Sequence, residues 1–223
     1  MVDNNDSFIR EVNEELRSDQ FRSAWKNYGR FVIALALLIV VGTAGYRGYE
    51  YWHESQSSDA GDKFLAALTL ANEGKADEAQ AALAALETDG YGAYAVLARM
   101  RSATVEAEKG DATGAIKAFS EIGKDSSVPV VIRDVARMRA AWLLIDAGTY
   151  EQVSAEVEAM ATPRDALRHS AREALGLAAY KAGDMTKARE WFTQITEDTE
   201  APRNVASRAQ MMLDTIKASG KAP

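Results

Sequence analysis

The sequence predicts an all-α protein: an N-terminal amphipathic helix, a single transmembrane helix, and then a solenoid of helical hairpins. Three observations carry this. One uncharged run of sixteen residues lies between Arg30 and Arg47, and nothing else in the chain resembles it. The remainder is rich in Ala, Glu, Lys, Arg and Leu with only 4 prolines, side chains that lose little freedom in a helix. A motif opened by glycine recurs four times in the C-terminal two-thirds. No alternating run of Val, Ile or Thr suggests a sheet.

The arm, residues 1–27, comes first. Phe8, Ile9, Val12 and Leu16 recur at helical spacing, and Phe21, Ala24, Trp25 and Tyr28 resume the stripe. Such a helix lies on a membrane surface or docks a cytoplasmic partner. Its five basic and six acidic residues over 1–30 give little attraction to anionic lipid.

The run RFVIALALLIVVGTAGYR falls inside a segment, 28–52, read as anchor and interface. Crossing a hydrocarbon core takes roughly 20 residues of helix. Tyr28 to Arg47 reaches that length if the arginine side chain extends to the headgroups. Trp25, Tyr28 and Phe31 flank one side, and Tyr46, Tyr49, Tyr51 and Trp52 the other, as in interfacial belts. A buried core helix and a cleaved export signal are the alternatives. The first lacks polar periodicity over Phe31–Val41, and the second would need a much shorter leading region. Arg10, Arg17, Arg22, Lys26 and Arg30 precede the run, whereas only Arg47 and Lys63 follow it closely. This bias places the N-terminus in the cytoplasm and the C-terminal mass across the membrane. Gly42, Gly45 and Gly48 share one face, where they either admit a neighbouring helix or simply mark an anchor end.

Residues 53–58 open a polar stretch, SQSSDAGD from Ser55, that reads as a linker to a repeat domain over 59–218. The repeats begin GKADEAQAALAAL at Gly74, GDATGAIKAFSEI at Gly110, GTYEQVSAEVEAM at Gly148 and GDMTKAREWFTQI at Gly183. The glycines are 36, 38 and 35 residues apart. Five residues after each come Ala79, Ala115, Val153 and Ala188. Nine after come Leu83, Phe119, Val157 and Phe192, and twelve after come Leu86, Ile122, Met160 and Ile195. Steps of four and three put these on one helix face. Seven residues before each glycine sit Ala67, Ala103, Ala141 and Gly176, small enough for a close helix crossing.

Each glycine is expected to end one helix in the left-handed conformation. Asp111, Thr149 and Asp184 then cap the next, with a capping box from Thr149 to Gln152. Lys75 breaks the pattern, and Asp77 is the substitute cap. Thr162-Pro163-Arg164-Asp165 reads as a looser box with proline at the first helical position. The expected helix pairs are 59–73 and 76–88, 91–109 and 112–123, 130–147 and 150–161, and 165–182 and 185–196. A last helix, 202–218, covers the open end with Val205, Ala209, Met212, Leu213 and Ile216.

These hairpins resemble tetratricopeptide repeats over 60–218, best in GLAAYKAGDMTKAREWF, although the large aromatic of the first helix is mostly missing. The order of arm, anchor ending in YRGYEYW, polar linker and degenerate repeats with DGYGAYAVLARM and AREALGLAAYKAGDMTKAREWF resembles the ancillary subunit family of the bacterial Sec translocon. That resemblance implies an inner-membrane protein with a periplasmic repeat domain acting as a co-chaperone. Its implied partners are translocon subunits, a membrane-bound prolyl isomerase and exported polypeptides.

The residue inventory argues against catalysis. His53 lies at the membrane interface and His169 is expected on a helix surface, neither in a metal-ligand spacing. Carboxylates often sit three or four residues from a Lys or Arg, as on solvated faces. No phosphate loop, cofactor site, metal site or small-molecule site is indicated. There is no cysteine, which excludes disulfides and thiol chemistry. A net charge of −7 argues against nucleic-acid binding. The expected work is protein binding on a concave face lined by the first helix of each pair. Candidate partner-binding residues are Leu97, Met100, Val135, Met138, Trp142, Leu177 and Tyr180; a stripe of this kind also suits the solenoid core. The competing function is a scaffold for envelope assembly or cell division without client binding.

Overall fold

The structure is a computed structural model. It describes the backbone of residues 3–220, and side chains from Arg22 onward except those of 23 and 24. The arm's stripe from Phe8 through Ala24 therefore lies outside the described side chains. The described residues form α1 (Asp3–Asn72), α2 (Ala76–Asp89), α3 (Tyr94–Glu108), α4 (Ala112–Lys124), α5 (Val130–Ala147) and α6 (Tyr150–Val157). A 3₁₀ turn (Glu158–Ala161), α7 (Arg168–Lys181), α8 (Met185–Thr196) and α9 (Arg203–Ser219) complete them. There is no strand among them. The chain divides into two compact units, Met1–Ser58 and Asp59–Pro223.

In the first unit, α1 carries a segment long and apolar enough to cross a membrane. Its Phe31, Leu35, Leu38 and Val41 side chains are exposed, as are Tyr28, Tyr46 and Tyr51 at the two ends. Thr43 donates its hydroxyl to the carbonyl of Ile39 at 2.7 Å, so its polar group is satisfied within the helix. The polar stretch from Ser55 to Asp62, read as a linker, is helical and continues α1. It holds no proline, and its residues lose too little in a helix to stop one already running.

The second unit is a stack of hairpins. The end of α1 pairs with α2, α3 with α4, α5 with α6, and α7 with α8, while α9 closes the stack. All sixteen positions singled out by the repeat are buried. Their grouping explains the architecture. Each of four core clusters draws on three consecutive helices: α1, α2 and α3; α3, α4 and α5; α5, α6 and α7; α7, α8 and α9. One hairpin leaves its apolar face open, and the first helix of the next closes it. The final helix α9 does this for the last pair through Val205, Ala209 and Ile216.

The turns follow one design with one exception. Gly74, Gly110 and Gly183 take φ of 78°, 91° and 83°. In each, the glycine N–H bonds the carbonyl three residues back and the next N–H bonds the one five back, as Asp184 does to Ala179 at 3.0 Å. Gly148 departs from the expected left-handed form, with φ −122° and ψ −162°. Its glycine is required by space instead. A Cβ there would lie 2.7 Å from both Leu144 Cδ2 and Gln152 Oε1.

The caps at Asp111, Thr149 and Asp184 form as expected, Thr149 with its full capping box. Two other expectations are corrected. Asp77 does not cap α2; it accepts from Lys109 Nζ at 2.6 Å and ties α2 to α3, leaving Lys75 as a cap without a side-chain bond. No helix starts at Pro163. Asp165 Oδ1 instead accepts from the Leu167 N–H at 2.8 Å in a turn, and α7 begins at Arg168. The preceding helix likewise tightens to 3₁₀ geometry at Glu158.

Candidate protein-binding groove

Helix α5 stands in the middle of the hairpin stack, packed on one side by α3 and α4 and on the other by α6 and α7. Ala136 and Ala140 belong to the cluster shared with α3 and α4, whereas Met138, Ala141 and Leu144 belong to the cluster shared with α6 and α7. Between these two buried flanks runs an open stripe of Val131, Val135, Arg139 and Trp142, spaced by four, four and three. Val131 is 70% exposed and Trp142 37%. On α3, Leu97 is exposed and Thr104 half-buried on the corresponding outward face.

The two helices meet at a small apolar pocket of about 180 Å³ lined by Thr104, Ala107, Phe119, Arg139, Trp142 and Leu143. Phe119 forms part of it from α4. Arg139 donates to the Thr104 hydroxyl at 3.1 Å, and its guanidinium carbon stands 5.9 Å from the centre of the Phe119 ring.

The seven candidate residues thus separate. Leu97, Val135 and Trp142 face outward. Met100 is half-buried against the α3–α5 cluster, and Leu177 and Tyr180 are half-buried against the α7–α9 cluster. Met138 is 7% exposed and fills the core between α5 and α7, so it supports the groove from behind and does not line it. Spacing alone misassigned it, because positions 135, 138 and 142 lie within about 60° of one another around the helix. Val131 and Arg139 were missed. The four-residue steps from Val131 carried that signal.

A family model described as tetratricopeptide repeat-like domain matches residues 22–218. The chain belongs to this family. Neither a curated protein nor a solved structure matches it. The family match starts ahead of the apolar run, so the family takes in the anchor candidate as well as the repeats.

The tetratricopeptide repeat-like domain also holds a polar network at its C-terminal end that the sequence did not reveal. His169, expected on a surface, is only 7% exposed, and its Nε2 lies 2.9 Å from Asp198 Oδ2. A carboxylate only accepts, so that ring nitrogen carries the proton. Arg168 Nε donates to the same oxygen at 2.9 Å. Arg172 donates from Nε to the Ala161 carbonyl at 3.1 Å and from a terminal nitrogen to the Gln194 carbonyl at 3.2 Å. These bonds satisfy the exposed carbonyls where the 3₁₀ turn and α8 end. The histidine and both arginines therefore have structural partners in this network.

The Arg168 guanidinium, with the backbone N–H of Glu200 and the His169 ring, holds the Asp198 carboxyl well below the ordinary carboxylate range. Because folding lowers this pKa, its stabilisation is complete above the ordinary value of 3.8 and is lost as pH falls below it. Asp198→Asn is expected to lower the melting temperature at neutral pH and to flatten its decline below about pH 4. Thermal melts of both chains across that range check this; parallel acid limbs would refute it.

Proposed function

We propose that this chain is a single-pass bacterial inner-membrane adaptor with its N-terminus in the cytoplasm and its repeat domain in the periplasm. In this reading it sits beside the Sec translocon and binds translocon subunits, a membrane-bound prolyl isomerase and exported polypeptides, and it catalyses no reaction. The observation that carries the proposal is the union, in one family match, of an apolar helix with unburied side chains and a groove with an open apolar stripe. Exposed hydrocarbon on the helix gains by entering lipid, and an open stripe with an aromatic anchor suits a polypeptide partner. The order of segments resembling the translocon's ancillary subunits supports the finer assignment.

The test places a photo-crosslinking residue at Leu97 or Val135 in the full chain, in intact membranes. Translocon subunits and nascent exported chains are the expected adducts. Capture of division or cell-wall proteins alone would overturn the adaptor reading in favour of a scaffold. An alkaline phosphatase fused to the C-terminus, active only outside the cytoplasm, tests the orientation.

A further inference from the structure

The α5 stripe contains its own statement of what it binds. Arg139 is exposed and lies at the rim of the pocket, yet among the described residues it faces no carboxylate; its partners are the Thr104 hydroxyl and the Phe119 ring. The neighbouring arginines are engaged differently. Arg99 pairs with Asp125, Arg101 with Glu108, and Arg137 donates to the Gly123 carbonyl. Arg133 and Arg137 on α5 also form no ion pair among the described residues, but Arg139 is the arginine that lines the pocket, and in a chain of net charge −7 a cation placed there without a counter-charge is a readable preference.

The floor beside it is apolar. Ala107, Phe119, Trp142 and Leu143 supply hydrocarbon and ring surface, which accepts a branched or aromatic side chain. Val135 lies seven residues from Trp142, about 10 Å along the helix. A ligand spans that distance with apolar residues three apart when extended, or seven apart when helical. Asp146, exposed one turn beyond Trp142, repels an acid from that end and so orients the ligand.

We infer that the groove selects apolar–acidic peptide segments, with one bulky apolar side chain in the Trp142 pocket and an adjacent carboxylate paired with Arg139. This rests on the adaptor reading and names the chemistry of its client.

The probe is a fluorescein-labelled peptide with two leucines three positions apart and an aspartate next to the second. It is titrated against the full chain in detergent and followed by anisotropy. Replacing its aspartate by asparagine is expected to weaken binding by about tenfold or more. Arg139→Gln should remove that difference, and Trp142→Ala should weaken both peptides. Arg139→Glu should turn the preference toward a lysine-bearing peptide, a gain that misfolding cannot produce. Equal binding of the aspartate and asparagine peptides to the unmodified chain, or a preference for lysine there, would overturn the inference. Translocon adducts that persist unchanged in Arg139→Gln would sink it while leaving the adaptor reading intact.

Discussion

Phe192→Ala is expected to destabilise the repeat domain by about 3–5 kcal/mol, a large share of the roughly 5–15 kcal/mol that holds a typical domain folded. Phe192 is fully buried at the centre of the α7–α9 cluster, together with Ala179, Ile195 and Ala209. Its ring fits against Gly176. A Cβ built on that glycine would stand 2.8 Å from Phe192 Cζ and 2.9 Å from Cε1. The ring is boxed in and has no exit, so the loss on truncation includes a cavity that α7 and α9 cannot close. The converse variant, Gly176→Ala, overpacks the same contact and should cost about 1–3 kcal/mol. Combined with Phe192→Leu it should cost less than the two separately, because the new methyl occupies vacated space. Urea titrations of the full chain in detergent, followed by near-ultraviolet circular dichroism, measure all of these. Additive losses would show that the two positions do not share one contact.

The second large effect is Arg208→Ala. Arg208 on α9 reaches Glu173 on α7 with two bonds, Nε to Oε1 at 2.5 Å and a terminal nitrogen to Oε2 at 2.7 Å. The exposures are lopsided. Arg208's side chain is about half exposed, whereas Glu173 is 4% exposed as a residue. Losing the arginine leaves a buried carboxylate without its counter-charge, at a cost of about 3–5 kcal/mol. Losing both charges is far milder. A chain with Met at 173 and 208 should fall within about 1–2 kcal/mol of the natural one, because the pair's attraction largely offsets its own desolvation. The same titrations separate the two outcomes. If the single and double variants lose equally, the pair's charge is irrelevant and only its bulk docks α9.

Much of the core was legible because the repeat is periodic. Ala79, Leu83 and Leu86 are buried for the same reason as Ala188, Phe192 and Ile195: steps of four and three return to one side of a helix. Glycine followed by a short polar residue likewise marks a turn and cap at Gly110, Gly148 and Gly183, although Gly61-Asp62 runs on inside α1. The exceptions show where local reading ends. Gly148 carries the same residue type as Gly110, but it is kept small by the nearby Leu144 and Gln152 side chains and not by its φ. Asp77 stands where a cap would do, yet Lys109, thirty-two residues away, claims it.

The groove and the polar network were harder for the same reason. Met138 and Trp142 are four residues apart and both apolar. What separates them is that α7 covers Met138, whereas Trp142 stays 37% exposed at the pocket. His169 and Asp198 are twenty-nine residues apart, and no spacing rule links them.

For this protein the sequence alone determined most of the helical segments, where most of them turn, which face of each repeat helix is apolar, and which helix is apolar enough to enter a membrane. These follow from interactions within a few residues of one another, where 3.6-residue geometry and side-chain hydrophobicity suffice. Only the tertiary structure decided which apolar residue lines the groove, which charge is left unmatched, and which histidine is buried. Those depend on how neighbouring hairpins cover one another, and covering is a property of chains folded against each other across many residues.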